Sequence, residues 1–391
     1  WCVSIHGSST LFARLLLPHR PLGCTTQYPT LSVRLYRPAS WANTEPRRSS
    51  SYWDDEHTNA HAFSIMQVIS LALLLGCAQA STWSHQAASS IANGTANSHV
   101  EGTYTAAYIE HEATSPCGNG VCGKQTLAAN AAAYIGYAEE AASEGAGIIV
   151  FPEYGLTGFS SYPKSSWISG GYTETIPDPV EESVVPCDDT TGDFDDAPSV
   201  VTLSCAARDT GIAIVANLVE LADSNIYNCD VAFDEKGFFL AKYRKMNLWG
   251  ESNMDAPTEC TLSTFTALTS TVEGGVTFGL ITCADLIYEF PTVDLISSGV
   301  VHFVVPVAWD DSMAQMQVMG WAQGFSLAHG VNVVVSNHRT ATESGSGAWS
   351  SGSTQSYVFA PSNRGDAKVM LAELPLAPAA SATTGATAAS A

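Results

Sequence analysis

From about residue 104 onward, short and wholly apolar runs alternate with longer amphipathic stretches. Residues 104–110 and 147–151 predict strands, and the Ala-rich stretch 124–144, acidic toward its end, predicts a helix between them. Residues 198–211 suit a helix that starts with Pro198 in its first turn. A strand is expected over 212–217. Residues 226–234 and 238–243 flank Glu235-Lys236-Gly237 and read as a hairpin. Further strands are expected over 276–282, 302–306 and 331–336, with weaker ones near 355–360 and 368–374. Helices are expected over 286–298, interrupted near Pro291, and over 312–329. Residues 160–197, rich in Pro, Gly, Ser and Asp, read as a long loop, and 377–391 as a low-complexity tail. Buried strands alternating with helices imply an α/β fold with helices covering the sheets.

The chain has 391 residues, 46% of them apolar and 14% charged, which suits a packed globular body. Sixteen basic side chains face 38 acidic ones, a net charge of −22. That balance argues against nucleic-acid binding and against docking on an anionic membrane, both of which need a basic surface.

Residues 66–80 carry their own signal. Met66 precedes the apolar run Val68-Ile69-Ser70-Leu71-Ala72-Leu73-Leu74-Leu75, followed by Gly76-Cys77-Ala78-Gln79-Ala80. The pattern reads as a secretory signal peptide cut before Ser81; a buried helix or a lipid anchor at Cys77 are the alternatives. The run is too short to span a bilayer, so no membrane insertion is expected. Because a signal peptide works at an N-terminus, residues 1–65 are expected to be upstream sequence, with a pro-region as the alternative. Residues 81–102 would begin the mature chain. Removing 1–80 takes away six Arg and four acidic residues, so the acidity belongs to the body.

Export would also suit the cysteines. Beyond residue 80 there are seven: Cys117, Cys122, Cys187, Cys205, Cys229, Cys260 and Cys283. Six could form up to three bridges in an oxidising compartment and leave one thiol over. Asn93-Gly94-Thr95 is a glycosylation sequon.

Three segments at strand ends carry candidate chemistry, where α/β proteins place reactive groups. They are Phe151-Pro152-Glu153-Tyr154-Gly155, Lys242-Tyr243-Arg244-Lys245-Met246-Asn247-Leu248-Trp249-Gly250-Glu251, and Ile281-Thr282-Cys283-Ala284-Asp285. In this order they resemble the carbon–nitrogen hydrolase (nitrilase) superfamily, in which these segments supply a Glu, a Lys and a Cys. Tyr227-Asn228-Cys229-Asp230-Val231, Ile176-Pro177-Asp178-Pro179, Pro306-Val307-Ala308-Trp309 and the glycine-rich Ser344-Gly345-Ser346-Gly347 narrow the resemblance to its vanin/biotinidase branch. It covers roughly residues 103–376. It implies an α-β-β-α sandwich, a single catalytic domain, and hydrolysis of a small-molecule, non-peptide amide without a metal or organic cofactor. Pantetheine is the first expected substrate, biotin amides the second, nitriles or carbamoyl compounds the third. The resemblance also implies a Cys187–Cys205 bridge. Cys229 with Cys260 and Cys117 with Cys122 are further combinations that the sequence allows.

Chemically, Cys283 suits a nucleophile, Glu153 a general base and then acid, and Lys245 a cation for the developing oxyanion. The Ala284 N–H would complete an oxyanion hole, and Glu251 would orient the lysine or the substrate. Each also has a plain reading: a cysteine at a strand end is usually packing, and Glu and Lys are ordinary loop residues. Asp285 reads as structural, and so do His302, His329 and His338, which lie in no protease signature; the Cys and His spacings are not those of a zinc site. Trp249, Trp309 and Trp349 are candidate pocket walls. A non-catalytic binding protein is the alternative of another class. Oligomeric state is not readable.

Overall fold

The computed structural model describes residues 2–5, 9–12, 102–115, 122–158, 162–179, 184–312, 317–361 and 368–380. The chain divides into two compact units, residues 1–94 and 95–391. In the first, β1 (Cys2–Ile5) pairs antiparallel with β2 (Ser9–Phe12), a hairpin the irregular composition of 1–65 gave no reason to expect. The signal-peptide segment 66–80 lies outside the described residues.

The second unit is built on two sheets. In the first sheet, β3 (Thr103–Ile109) runs parallel to β4 (Ile148–Val150), which runs parallel to β6 (Ala213–Ala222). The strands β7 (Asn225–Phe233) and β8 (Phe239–Arg244) continue it antiparallel, and β5 (Thr173–Glu174) pairs beside β6. In the second sheet, β10 (Val276–Leu280), β11 (His302–Pro306) and β12 (Asn332–Ser336) run parallel. Antiparallel β9 (Thr264–Ala267) flanks β10, and β13 (Ser346–Ser350) and β14 (Ser353–Val358) follow β12. The last strand, β15 (Val369–Pro375), returns to the first sheet and pairs with β3.

Alternation along the strands makes the layers. Tyr104, Ala106, Tyr108, Ile148, Val150 and Val215 of the first sheet pack against Phe278, Leu280, Val304 and Val334 of the second. The opposite faces take helices. Ala107, Ile109 and Ile149 meet Leu127, Tyr134, Val200 and Leu203 from α1 (Gly123–Ser143) and α3 (Pro198–Thr210). Phe303, Val305, Val333 and Val335 meet Val318 and Ala322 from α5 (Val318–His329). This is the α-β-β-α sandwich the resemblance implies. Helix α3 starts on Pro198 and stops at Gly211, whose φ of 71° is left-handed backbone that glycine adopts without strain.

Some elements differ from expectation. The 160–197 stretch holds α2 (Lys164–Ser169), β5 and a 3-10 turn at Pro186–Asp188. The strand expected over 212–217 runs on to Ala222, because its second half stays paired with β7. Strands β9 and β13 were missed: β9 is only four residues long, and β13, Ser346-Gly347-Ala348-Trp349-Ser350, is made mostly of small residues whose β-signal is weak. The expected helix at 286–298 is a 3-10 turn, Cys283–Ile287, followed by α4 (Thr292–Ser297).

Cys187 and Cys205 form a disulfide that ties the 3-10 turn to α3. Cys122 and Cys260 are also disulfide-bonded, while Cys229 and Cys283 are free. The Cys229–Cys260 combination is therefore wrong. Cys229 sits on β7 within the core under α3, and Cys260 lies on an exposed loop. Cys117 lies outside the described residues. None of the described helices is long and apolar enough to cross a membrane.

The 187–205 bridge closes a short loop across a sequence separation of 18. Replacing both cysteines by Ser is expected to lower unfolding stability by about 3 kcal/mol. Denaturant melts with the m-value checked would show the loss; an unchanged midpoint would mean that the loop is ordered without its bridge.

Candidate functional site

Three backbone turns at strand ends bring the candidate side chains together. Glu153 lies just beyond β4, Lys245 follows β8, and Cys283 opens the 3-10 turn after β10. All are buried: Glu153 is 1% exposed, Lys245 2% and Cys283 7%. The Lys245 ammonium donates to Glu153 Oε1 at 2.7 Å and to Glu251 Oε2 at 2.6 Å. The Cys283 thiol lies within electrostatic reach of Glu153, Lys245 and Glu251. Four of the five expected residues thus form one buried cluster. Ala284, also buried, follows Cys283 in the first turn of the 3-10 helix.

Two non-glycine residues of the cluster hold left-handed backbone, Cys283 at φ 47° and Tyr154 at φ 54°. Such conformations persist only where surrounding bonds impose them. At Cys283 the bonds come from Asp285. Its carboxylate accepts from the Thr282 N–H at 3.0 Å in a capping box, and from Tyr243 Oη at 2.7 Å. It also accepts from the Asn247 N–H and side-chain amide, at 3.0 and 2.7 Å. Asp285 therefore fixes the Cys283 turn and both flanks of Lys245 at once. At Tyr154 the N–H donates to Asn217 Oδ1 at 2.7 Å, and the Tyr154 hydroxyl donates to Glu251.

Glu153 is held from several directions. Asn228 Nδ2 donates to its Oε1 at 2.6 Å and to Glu251 Oε1 at 2.7 Å. The Ala308 N–H donates to its Oε2 at 2.7 Å. His338 Nε2 hydrogen-bonds the Glu153 carbonyl. Asn337 secures the Ala308 segment, because its side chain bonds both the N–H and the carbonyl of Trp309, at 3.0 and 3.1 Å. Asn217, Asn228, Asp230, Asn337 and His338 were not selected from the sequence. Asn228 and Asp230 lay inside the quoted 227–231 motif, and Ala308 inside 306–309, but no spacing rule shows that they converge.

The electrostatics follow from burial and neighbours. Burial opposes charge on Lys245, but Glu153, Cys283 and Glu251 outweigh it and hold the ammonium well above its ordinary range. Burial works against the Glu251 charge too, and Lys245 overcomes it, so Glu251 stays below the usual carboxylate range. Burial pushes the Cys283 thiol well up; the Glu153 charge adds to this and Lys245 only partly offsets it. The resting nucleophile candidate is a neutral thiol beside a base. Asp285, desolvated, is raised to about 6.

A cavity of 490 Å³ lies beside the cluster. Thr157, Trp167, Tyr172, His338, Glu112 and Glu343 help to line it, whereas Cys283 and Lys245 do not. It shares a wall with the reactive groups through His338 and the Glu153 turn. The three tryptophans considered as pocket walls do not line it: Trp309 and Trp349 pack in the core under α5, and Trp249 is 56% exposed. His302 is structural, bonded to Tyr104 and Asn332 and held neutral by burial at about 4.

The family model described as "Carbon-nitrogen hydrolase" matches residues 116–362. A biotinidase from Takifugu rubripes is 35% identical over 216 residues, covering 52% of this chain and 41% of that protein. A pantetheinase from Bos taurus is 31% identical over 255 residues, 61% of this chain and 48% of that protein. The human pantetheinase is 30% identical over 263 residues, 63% and 49%. The chain thus spans about half the length of the curated relatives it matches. A double mutant of the amidase from Nesterenkonia sp. AN1, in complex with acrylamide, superposes with a TM-score of 0.52 at 19% identity. It covers 70% of this chain and 91% of that one. A crystal structure of an amidase from Nesterenkonia sp. gives 0.51 at 20% identity, covering 72% and 94%.

Asp285→Ala would strand buried donors on both sides of the cluster. It is expected to cost about 3 kcal/mol of stability. At temperatures where it remains folded, it should also free the Cys283 thiol for alkylation. Thermal melts and thiol labelling check both, and wild-type labelling in a destabilised variant would limit Asp285 to the fold.

Proposed function

The chain belongs to the carbon–nitrogen hydrolase family, and from that premise we propose that it hydrolyses a small-molecule, non-peptide amide through Cys283, Glu153 and Lys245. One observation carries the reading: a buried ammonium bonded to a buried carboxylate at 2.7 Å, with a buried thiol close enough to interact electrostatically with both.

Because burial keeps the thiol protonated, attack and deprotonation must be coupled. Glu153 accepts the thiol proton as Cys283 Sγ bonds the amide carbon. The carbonyl oxygen becomes an oxyanion, stabilised by the Lys245 ammonium and the Ala284 N–H. Glu153 then delivers that proton to the departing nitrogen, the carbon–nitrogen bond breaks, and an amine leaves a thioester on Cys283. Water, deprotonated by Glu153, attacks the thioester; the acid departs and the thiol is restored. Glu251 does no proton transfer in this scheme. It shares Lys245 with Glu153 and keeps the ammonium pointed between them.

Pantetheine, cleaved to pantothenate and cysteamine, is the proposed substrate, in keeping with the pantetheinases among the relatives. A biotin amide is the second reading, favoured by the similarity to biotinidase. We also propose that the protein works outside the cell after removal of residues 66–80, with 103–376 as the catalytic domain. The Cys187–Cys205 disulfide supports that compartment.

The test is amine release from pantetheine and from biocytin, side by side. Cysteamine release is expected, falling by about 10³-fold in Cys283→Ala and in Glu153→Gln. A folded protein that turns over neither amide would overturn the substrate, and full activity in Cys283→Ala would overturn the mechanism.

A further inference from the structure

The 490 Å³ cavity is lined from one side of the reactive cluster. Thr157 and Gly158 belong to the turn that starts at Glu153, and His338 is bonded to the Glu153 carbonyl. Of the reactive cluster, Glu153, Glu251, Lys245 and Cys283 contribute no wall residue themselves; the cavity meets the cluster only through the turn after Glu153 and through His338. This asymmetry bears on how a substrate lies. The acyl carbon must reach Cys283 and its oxygen must reach Lys245, whereas the nitrogen must take its proton from Glu153. Free volume on the Glu153 side therefore faces the amine half.

The wall chemistry is equally one-sided. Tyr162, Trp167 and Tyr172 present aromatic rings, and Glu112 and Glu343 present carboxylates. Arg339 Nη1 pairs with Glu112 at 3.2 Å. Glu343 forms no ion pair among the described residues; its one side-chain hydrogen bond there is a 3.5 Å contact from the Thr340 hydroxyl. Burial and the Glu153 and Asp310 charges push the Glu343 carboxyl above its ordinary range, so a bound ammonium would hold it ionised while a bound carboxylate would work against its charge; with the aromatic rings, this favours ammonium groups over carboxylates.

Building on the amidohydrolase reading above, we propose that this cavity receives the amine half of the substrate, and that Glu343 selects amine halves that are neutral or cationic over those bearing a carboxylate. A short aminothiol satisfies that rule, and leaves as an ammonium beside Glu343. An amino-acid amine half, such as the lysine of biocytin, brings a carboxylate into the same space. The cavity thus discriminates between the two substrate classes suggested by the relatives.

The test uses the full chain and three amides of pantothenic acid, made with cysteamine, ethylenediamine and β-alanine. The β-alanine amide is expected to show a kcat/KM at least about tenfold below the cysteamine amide, with the ethylenediamine amide not below it. In Glu343→Gln the ratio of β-alanine to cysteamine amide should rise at least about fivefold. Equal rates for all three amides, or a ratio unmoved in Glu343→Gln, would overturn the proposal while leaving hydrolysis intact. A parallel arm needs no turnover: calorimetry of Cys283→Ala with free ethylenediamine and free β-alanine. Preference for the diamine, lost in Glu343→Gln, supports the cavity even if every amide is inert, in which case only the pantothenoyl substrate falls. No preference overturns the cavity assignment.

Discussion

The Lys245 ammonium, 2% exposed and gripped by Glu153 and Glu251, is the constraint around which the site is arranged. An unpaired ammonium at that depth would cost several kcal/mol. Two carboxylates repay the cost but leave the trio with one net negative charge. That surplus is spread over donors: Asn228 to both glutamates, the Ala308 N–H to Glu153, and the Tyr154 hydroxyl and the Trp249 N–H to Glu251. Removing any one partner leaves a buried charge or a stranded donor, so the geometry is over-determined. A reaction that develops negative charge on a carbonyl oxygen meets a cation that has nowhere else to go.

The sandwich supplies those partners because its two sheets meet where their strands end. Glu153, Asn228 and Lys245 come from the first sheet; Cys283, Ala308 and Asn337 come from the second. Crosslinks fix the meeting. Tyr243 and Asn247 of the first sheet bind Asp285 of the second, and Thr282 donates to Asp230 across the gap at 2.6 Å. A slip of one sheet against the other would break these bonds together with the core of Tyr108, Phe278 and Val304. The geometry of the proposed catalytic cluster and the packing are therefore one constraint.

Much of this was legible in the sequence, for identifiable reasons. The parallel strands are short runs of Val, Ile and Phe buried on both faces, and such runs stand out whatever surrounds them. His302–Pro306 was located to the residue. Glu153, Lys245 and Cys283 each sat in a recognisable segment. Less was legible where the signal is collective. Asn217 is a single polar residue in an apolar strand, Asn337 and His338 sit in a polar run just past one, and their partners lie far away in sequence. Strand β13 reads as a glycine-rich turn because its partners β12 and β14, not its own residues, make it a strand. Cys229 looked like a bridge candidate, since sequence does not tell an interior strand position from a surface one.

The state of Cys283 reconciles two demands that otherwise conflict. A nucleophilic cysteine is usually made reactive by stabilising its thiolate, but an accessible thiolate is also the form that oxidants and other thiols attack. This chain forms disulfides at Cys187–Cys205 and at Cys122 and Cys260, bonds that persist in oxidising surroundings. Cys283 is 7% exposed, and burial holds its proton on. In the proposed mechanism Glu153 removes that proton only while a carbonyl is there to be attacked. Reactivity is thus tied to occupancy of the site rather than to a standing thiolate. Burial raises the thiol and opposes charge on Lys245, whereas the Glu153 charge raises the thiol and holds Lys245 protonated, so in the proposed mechanism the cost to the nucleophile and the benefit to the oxyanion share one source in Glu153.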